Sequence, residues 1–159
     1  MFRQHNLQKM DRKLILFFAS GAGVGYLPGA PGTYGTVVAV LLYWAVAGLA
    51  PLHFLLFTFV FSLFSIWVAG LAEQSFGAHD SEKIVIDEIA GYLVTMLFLP
   101  FEWKYAITGF VVFRVFDILK PWPIRLIDQR GKGGWGVVGD DLLAGVFGCL
   151  VMQIAVRLI

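Results

Sequence analysis

From Leu14 through Ala72 the chain carries no Asp, Glu, Lys or Arg. A small soluble domain has no core helix that needs so long a charge-free run, and the segment belongs in hydrocarbon. The whole chain agrees, with 58% hydrophobic residues against the roughly 45–50% of soluble domains, 14% charged residues and a mean hydropathy of +0.77. At about 20 apolar residues per crossing, a chain of 159 residues allows a handful of spans and short connections, so residues 1–159 are expected to form one membrane domain. The formal net charge of +1 provides no bulk positive field for nucleic acid, while local basic clusters remain able to hold phosphate. The single cysteine, Cys149, has no internal disulfide partner and reads as a small packing residue beside Gly148.

Arg3, Lys9, Arg12 and Lys13 precede the first apolar run, as in a signal peptide, but the Gly23–Gly29 stretch lacks a small-x-small cleavage pattern and more apolar chain follows; it reads as mature sequence. The run from Leu14 to Tyr26 is short for a span and enters a Pro/Gly loop, Leu27 to Thr36, which fits a re-entrant or interfacial helix. Pro51 divides the apolar stretch Val37–Ala72 into a helical hairpin. A second hairpin is expected from Ile84–Leu99 and a helix ending near Lys120, where Pro121 and Pro123 stop it. A polar Gly-rich loop to Gly139 and a last helix from Asp140 complete the chain. The expected fold is an all-α polytopic membrane bundle of about five transmembrane helices plus the N-terminal re-entrant or interfacial helix.

Because each hairpin returns the chain, the Pro28–Thr36, Glu73–Lys83 and Pro121–Gly139 loops fall on one side. Lys120, Arg125, Arg130 and Lys132 lie there too, against Glu102, Lys104 and Arg157 opposite, so the positive-inside rule makes that side cytoplasmic.

Ionisable residues inside spans are expensive and read first as functional. Asp87-Glu88 lies about one turn into its segment, with Gly91 and Thr95 at spacings of four and eight making a small or polar face. Arg114, Asp117 and Lys120 are spaced by threes, so Asp117 can pair with either cation; a neutralising salt bridge is the competing reading, as is snorkelling for Lys120 and Arg125. Asp140-Asp141 is expected to open the last helix, where one aspartate caps it and Asp141 heads the stripe Asp141, Gly145, Gly148, Cys149. Carboxylates on one aqueous face, with few His and no clustered Cys, select a hard cation such as Mg²⁺, and neighbouring cations suit phosphate. Phosphate-ester hydrolysis fits this set, as does an ion-coupled membrane transporter. No Cys-x5-Arg loop is present.

The strings Gly29-Ala30-Pro31-Gly32-Thr33, His79-Asp80 with Ile84-Val85-Ile86-Asp87-Glu88, Phe113-Arg114-Val115-Phe116-Asp117-Ile118-Leu119-Lys120-Pro121-Trp122-Pro123-Ile124 and Gly139-Asp140-Asp141-Leu142-Leu143-Ala144-Gly145 resemble phosphatidylglycerophosphatase A over nearly the whole chain. The resemblance implies a multi-pass phosphatase of the bacterial inner membrane that uses Mg²⁺ to convert phosphatidylglycerophosphate to phosphatidylglycerol, its site facing the cytoplasm. On that basis Asp87 or Glu88, with Asp140 and Asp141, is expected to hold Mg²⁺. Asp117 would orient the attacking water or act as nucleophile, and Asp87 counts with it among the catalytic candidates. Lys120, Arg125 and Arg114 would bind the phosphate, and His79 or Asp80 would protonate the leaving alkoxide.

Overall fold

Prolines open two of the longer helices, α2 (Pro31–Val46) and α3 (Pro51–Phe76), where a missing N–H costs nothing because first-turn donors have no partner. These belong to a computed structural model that describes residues 2–46, 48–77 and 81–158 and contains no strand among them. Before α2 come α1 (Phe2–Ala19) and a single 3-10 turn (Val24–Tyr26). After α3 come α4 (Ile86–Thr95), α5 (Trp103–Leu119), α6 (Ile124–Arg130) and α7 (Gly133–Leu158). His79 and Asp80 lie outside the described residues.

Several boundaries differ from expectation. The Leu14–Tyr26 segment is the end of α1 followed by turns, and α2 begins at Pro31, inside the Pro/Gly loop. The loop expected from Pro121 to Gly139 holds α6 and the first two turns of α7, so Asp140 and Asp141 stand inside a helix and do not cap it. The cause is packing. A methyl group on Gly134 would overlap the carbonyl oxygen of Ile66 on α3, and Gly136 lies against the backbone of Gly131. Glycines that look like loop breakers in sequence here let backbones approach closely.

Among the described residues two helices, α3 and α7, are long and apolar enough to cross a membrane; at 26 residues each they extend about 39 Å. On α3 the usual soluble pattern is inverted. Thr58, Ser62, Ser65, Ala69 and Ala72 face inward, while Leu52, Leu56, Phe59, Val60, Leu63 and Trp67 face outward. The inward hydroxyls of Ser62 and Ser65 donate to carbonyls one turn earlier, Thr58 and Phe61, so their burial leaves these donors satisfied. Helix α5 shows a matching outward stripe, Ile107, Val111, Val115 and Ile118. An exterior this apolar is suited to lipid.

Helix α4 is ten residues long and buried on nearly every side, packed among α2, α3, α5 and α7. The turns on either side of it lie at opposite ends of the bundle. At one end the α2–α3 and α4–α5 connections meet around Val46, Leu49, Pro51, Met96 and Phe98 to Phe101. Beside them is an aromatic group in which the Trp44 and Trp103 rings lie 4.0 Å apart and Tyr43 and Phe101 5.3 Å. At the other end the start of α2, residues 81–85 and the C-terminal turn of α5 converge, and the acidic residues are there.

Candidate active site

The site is built on the contact between α4 and α7. A methyl group on Gly145 would overlap the carbonyl oxygen of Gly91, and one on Gly91 would meet Phe113 and the Asp141 carbonyl. Further along the same seam a methyl on Gly148 would press on Thr95, whose hydroxyl donates to Gly91 O at 3.1 Å and Gly145 O at 3.4 Å. Asp87 and Asp141 each precede the glycine contact by four residues, one helical turn, so the close approach brings their carboxylates together. Glu88 joins them. Carboxylate oxygens of Asp87, Glu88 and Asp141 all lie within 4.8 Å of one another, with Asp87 6% and Asp141 4% exposed.

Glu88 is reached by α5. The Arg114 guanidinium sits 3.8 Å from Glu88 Oε1 and 2.5 Å from Asp117 Oδ2, linking the two carboxylates. Helix α2 closes over this pair at Gly32, where a methyl group would collide with Glu88 Oε1 and come within 3.0 Å of Arg114 Nη1. The glycine of the Pro/Gly motif is therefore there for space.

Lys120 ends α5 in the left-handed region, φ 42°, a conformation that costs a residue with a side chain about 1 kcal/mol or more. Its Nζ donates at 2.5 Å to Asp128 Oδ1 on α6 and at 2.5 Å to Asp140 Oδ2 on α7. Burial works against the ammonium charge, but the hydrogen bonds and charges of Asp128 and Asp140 prevail and hold its pKa above the usual lysine range. The anchoring explains why the strained backbone persists.

A polar cavity of about 340 Å³ is lined by Gly32, Glu82, Asp87, Glu88, Arg114, Asp117 and Lys120 among others, while Asp128, Asp140 and Asp141 lie behind these residues and reach the site through their contacts with Lys120, Asp87 and Glu88. The carboxylates of Asp87, Glu88, Asp117, Asp128, Asp140 and Asp141 outnumber the cations Arg114 and Lys120. Such an excess of buried anions needs positive charge or protons from elsewhere. Oδ1 of Asp140 and Oε2 of Glu88 are buried and met by no hydrogen-bond donor among the described residues. Among the described residues the donor set, carboxylate oxygens without His or Cys, fits Mg²⁺.

Of the residues singled out in the sequence, Asp87, Glu88, Arg114, Asp117, Lys120, Asp140 and Asp141 come together. Arg125 does not: it stands exposed on α6 and is not among the residues lining the cavity. Asp128 was missed, because its pairing with Lys120 depends on α6 folding back after Pro121 and Pro123. Gly32 was quoted only as part of a motif, although its place one residue after a helix-opening proline was a usable signal of a close approach.

The phosphatidylglycerophosphatase A family matches residues 17–156. A phosphatidylglycerophosphatase A of Haemophilus influenzae is 34% identical over 87% of this chain and 86% of its own length, and one of Escherichia coli is 35% identical over 80% and 75%. A Bacteroides thetaiotaomicron protein, provisionally named a phosphatidylinositol-3-phosphatase, is 36% identical over 89% of this chain and 93% of its own. No solved structure matches the chain significantly.

Proposed function

Since the chain belongs to the phosphatidylglycerophosphatase A family, we propose that it hydrolyses the terminal phosphomonoester of phosphatidylglycerophosphate to phosphatidylglycerol and phosphate, with Mg²⁺ held in the acidic cavity. The observation that carries the Mg²⁺ reading is the convergence of Asp87, Glu88 and Asp141 within 4.8 Å. A dianionic phosphate entering a cavity already rich in carboxylates is repelled unless a divalent cation intervenes.

Asp87, Glu88 and Asp141 would hold the metal, and Asp140, whose Oδ1 has no hydrogen-bond partner among the described residues, stands next to Asp141 on the same helix as a further candidate ligand. Mg²⁺, when bound, neutralises charge developing on the phosphoryl oxygens. Arg114 fixes the Asp117 carboxylate at the cavity wall, where it orients the attacking water or itself attacks phosphorus. Lys120, held by Asp128 and Asp140, offers its remaining N–H to the phosphate. The bond from phosphorus to the glycerol oxygen breaks, and His79 or Asp80, outside the described residues, is the assigned proton donor to that oxygen. Arg125 keeps at most a role toward the membrane surface.

We assign the finer membrane arrangement in the same way. The chain makes five passes in a bacterial inner membrane, through α2, α3, α4 with its flanking residues, α5 and α7, with the site facing the cytoplasm. Arg12, Lys13, Lys83, Lys120, Arg130 and Lys132 on the site side, against Lys104 and Arg157, support that orientation, and the opposite aromatic group suits the far interface.

The Bacteroides relative supports a second reading, a phosphoinositide monoester as substrate. Both are tested together: phosphate release by detergent-purified protein from phosphatidylglycerophosphate and from phosphatidylinositol 3-phosphate, each with Mg²⁺ and with chelator. Release from phosphatidylglycerophosphate that chelation abolishes is expected. Preference for the phosphoinositide would favour the second reading, and release indifferent to chelator would end the metal assignment.

A further inference from the structure

A second polar cavity, of about 410 Å³, adjoins the acidic one and shares Pro31, Ser81 and Glu82 with it. Its remaining walls are Gly25 to Gly29 and Lys83. Lys83 differs from the other cations near the site. Arg114 and Lys120 are each engaged by carboxylates, whereas Lys83 forms no ion pair among the described residues. Its Nζ lies instead 5.7 Å from the centre of the Tyr26 ring and 5.6 Å from that of Phe76. Aromatic faces position an ammonium without neutralising it.

The segment carrying Lys83 is fixed on both sides. The Val85 N–H donates to Ala19 O at 2.8 Å and the Ile84 N–H to Ser81 O at 2.8 Å. A methyl group on Gly25 would overlap the Lys83 carbonyl, so the glycine loop lies directly against it. Lys83 is exposed, and an unneutralised ammonium positioned by two rings at the edge of a cavity next to a monoester site is suited to a second anion of the same ligand. Glu82, which lines both cavities, is exposed, and its repulsion there is screened by water and salt.

We propose that Lys83, with the Gly25–Gly29 loop, forms a subsite for the phosphodiester of a glycerophospholipid headgroup whose terminal monoester occupies the acidic cavity. The inference rests on the lipid-monoester phosphatase reading and holds for either substrate considered above, since both carry a phosphodiester between diacylglycerol and the monoester. It makes Lys83 a specificity residue: it separates such lipids from phosphatidic acid, whose only phosphate is the monoester.

The test measures turnover of phosphatidylglycerophosphate in neutral detergent micelles by the wild type, Lys83→Gln and Lys83→Arg. Phosphatidylglycerol, which has only the diester, and phosphatidic acid, which has only the monoester, serve as competitors. Lys83→Gln is expected to raise KM about three- to fivefold with kcat little changed, the size of one exposed charge pair. It should weaken competition by phosphatidylglycerol by a similar factor, leave competition by phosphatidic acid unchanged, and be largely rescued by Lys83→Arg. Equal weakening of both competitors would mean general attraction to an anionic surface and would overturn the subsite, as would an unchanged KM. A wild type without turnover of either proposed substrate would remove the phosphatase reading and this inference with it.

Discussion

Gly145 on α7 lies directly against the carbonyl of Gly91 on α4, with no room for a methyl group between them, and one turn before each glycine stands a carboxylate of the acidic cluster. The position of the acidic pair is thus set by a contact that contains no side chain. Gly145→Ala should force the helices apart at that point. Overpacking of this kind costs about 1–3 kcal/mol, and the variant should unfold at lower temperature in detergent while losing most of its turnover. Normal turnover with normal thermal stability would show that the α4–α7 spacing does not set the site.

Removing one carboxylate of the cluster separates metal binding from folding. Asp87→Asn and Asp141→Asn both lower the negative charge of the cluster, and metal-free Asp141→Asn, relieved of repulsion from Asp117, Asp87 and Glu88, should be at least as heat-stable as the wild type. The wild type should gain melting temperature on Mg²⁺ addition, by the linkage of binding to folding, and the variants should not. Turnover should fall by about 100-fold or more, as expected when a group acting on transition-state charge is lost. Thermal scans at a series of Mg²⁺ concentrations provide the check.

Gly32→Ala tests the close passage of α2 over Glu88 and Arg114. The groups it would strike are the ends of side chains, so the fold should survive at the low end of the overpacking range, about 1–2 kcal/mol. The Mg²⁺ concentration for half-maximal activity should rise as Glu88 is displaced. A titration of activity against Mg²⁺ distinguishes this from simple misfolding, which lowers maximal activity without shifting the midpoint.

Lys120→Met should leave Asp128 and Asp140 facing each other without their shared cation, at a cost of about 1–3 kcal/mol; Asp128→Asn alone should cost less, and the double variant should be non-additive. The pH dependence has a definite sign. A lysine whose folded pKa is raised contributes stability that is fully present below the unfolded value, near 10.4, and is lost only as pH rises through the folded value above it. Lys120 therefore contributes no loss of stability between about pH 6 and 9, and any basic limb of activity in that window belongs to another group. Denaturation midpoints measured across that range check this, with Lys120→Met the less stable of the two throughout.

Labelling of single cysteines at Ala50 and Lys132, in a Cys149→Ser background, tests the membrane arrangement. Both positions are exposed, and they lie at opposite ends of the bundle. Reagent confined to the outside of intact cells should reach Ala50→Cys alone; labelling of both from the same side would break the five-pass reading.

Much of this protein is legible one residue at a time. The charge-free run from Leu14 to Ala72 requires lipid or burial whatever the fold, and helical spacing places Asp87 with Gly91 and Asp141 with Gly145 because that periodicity is local. Pro51 likewise announces α3, whereas Pro31, which reads as part of a loop, opens α2. What tertiary structure alone decided is which glycines are breakers and which are contacts. Gly134 and Gly136 lie inside α7 because α3 and the Gly131 backbone approach where a side chain would stand, and that moved Asp140 and Asp141 from a helix cap to the interior. The Lys120–Asp128 pair depends in the same way on how α6 folds back. Propensity is a property of a residue and its neighbours in sequence, whereas close approach is a property of two segments that meet only in the folded chain.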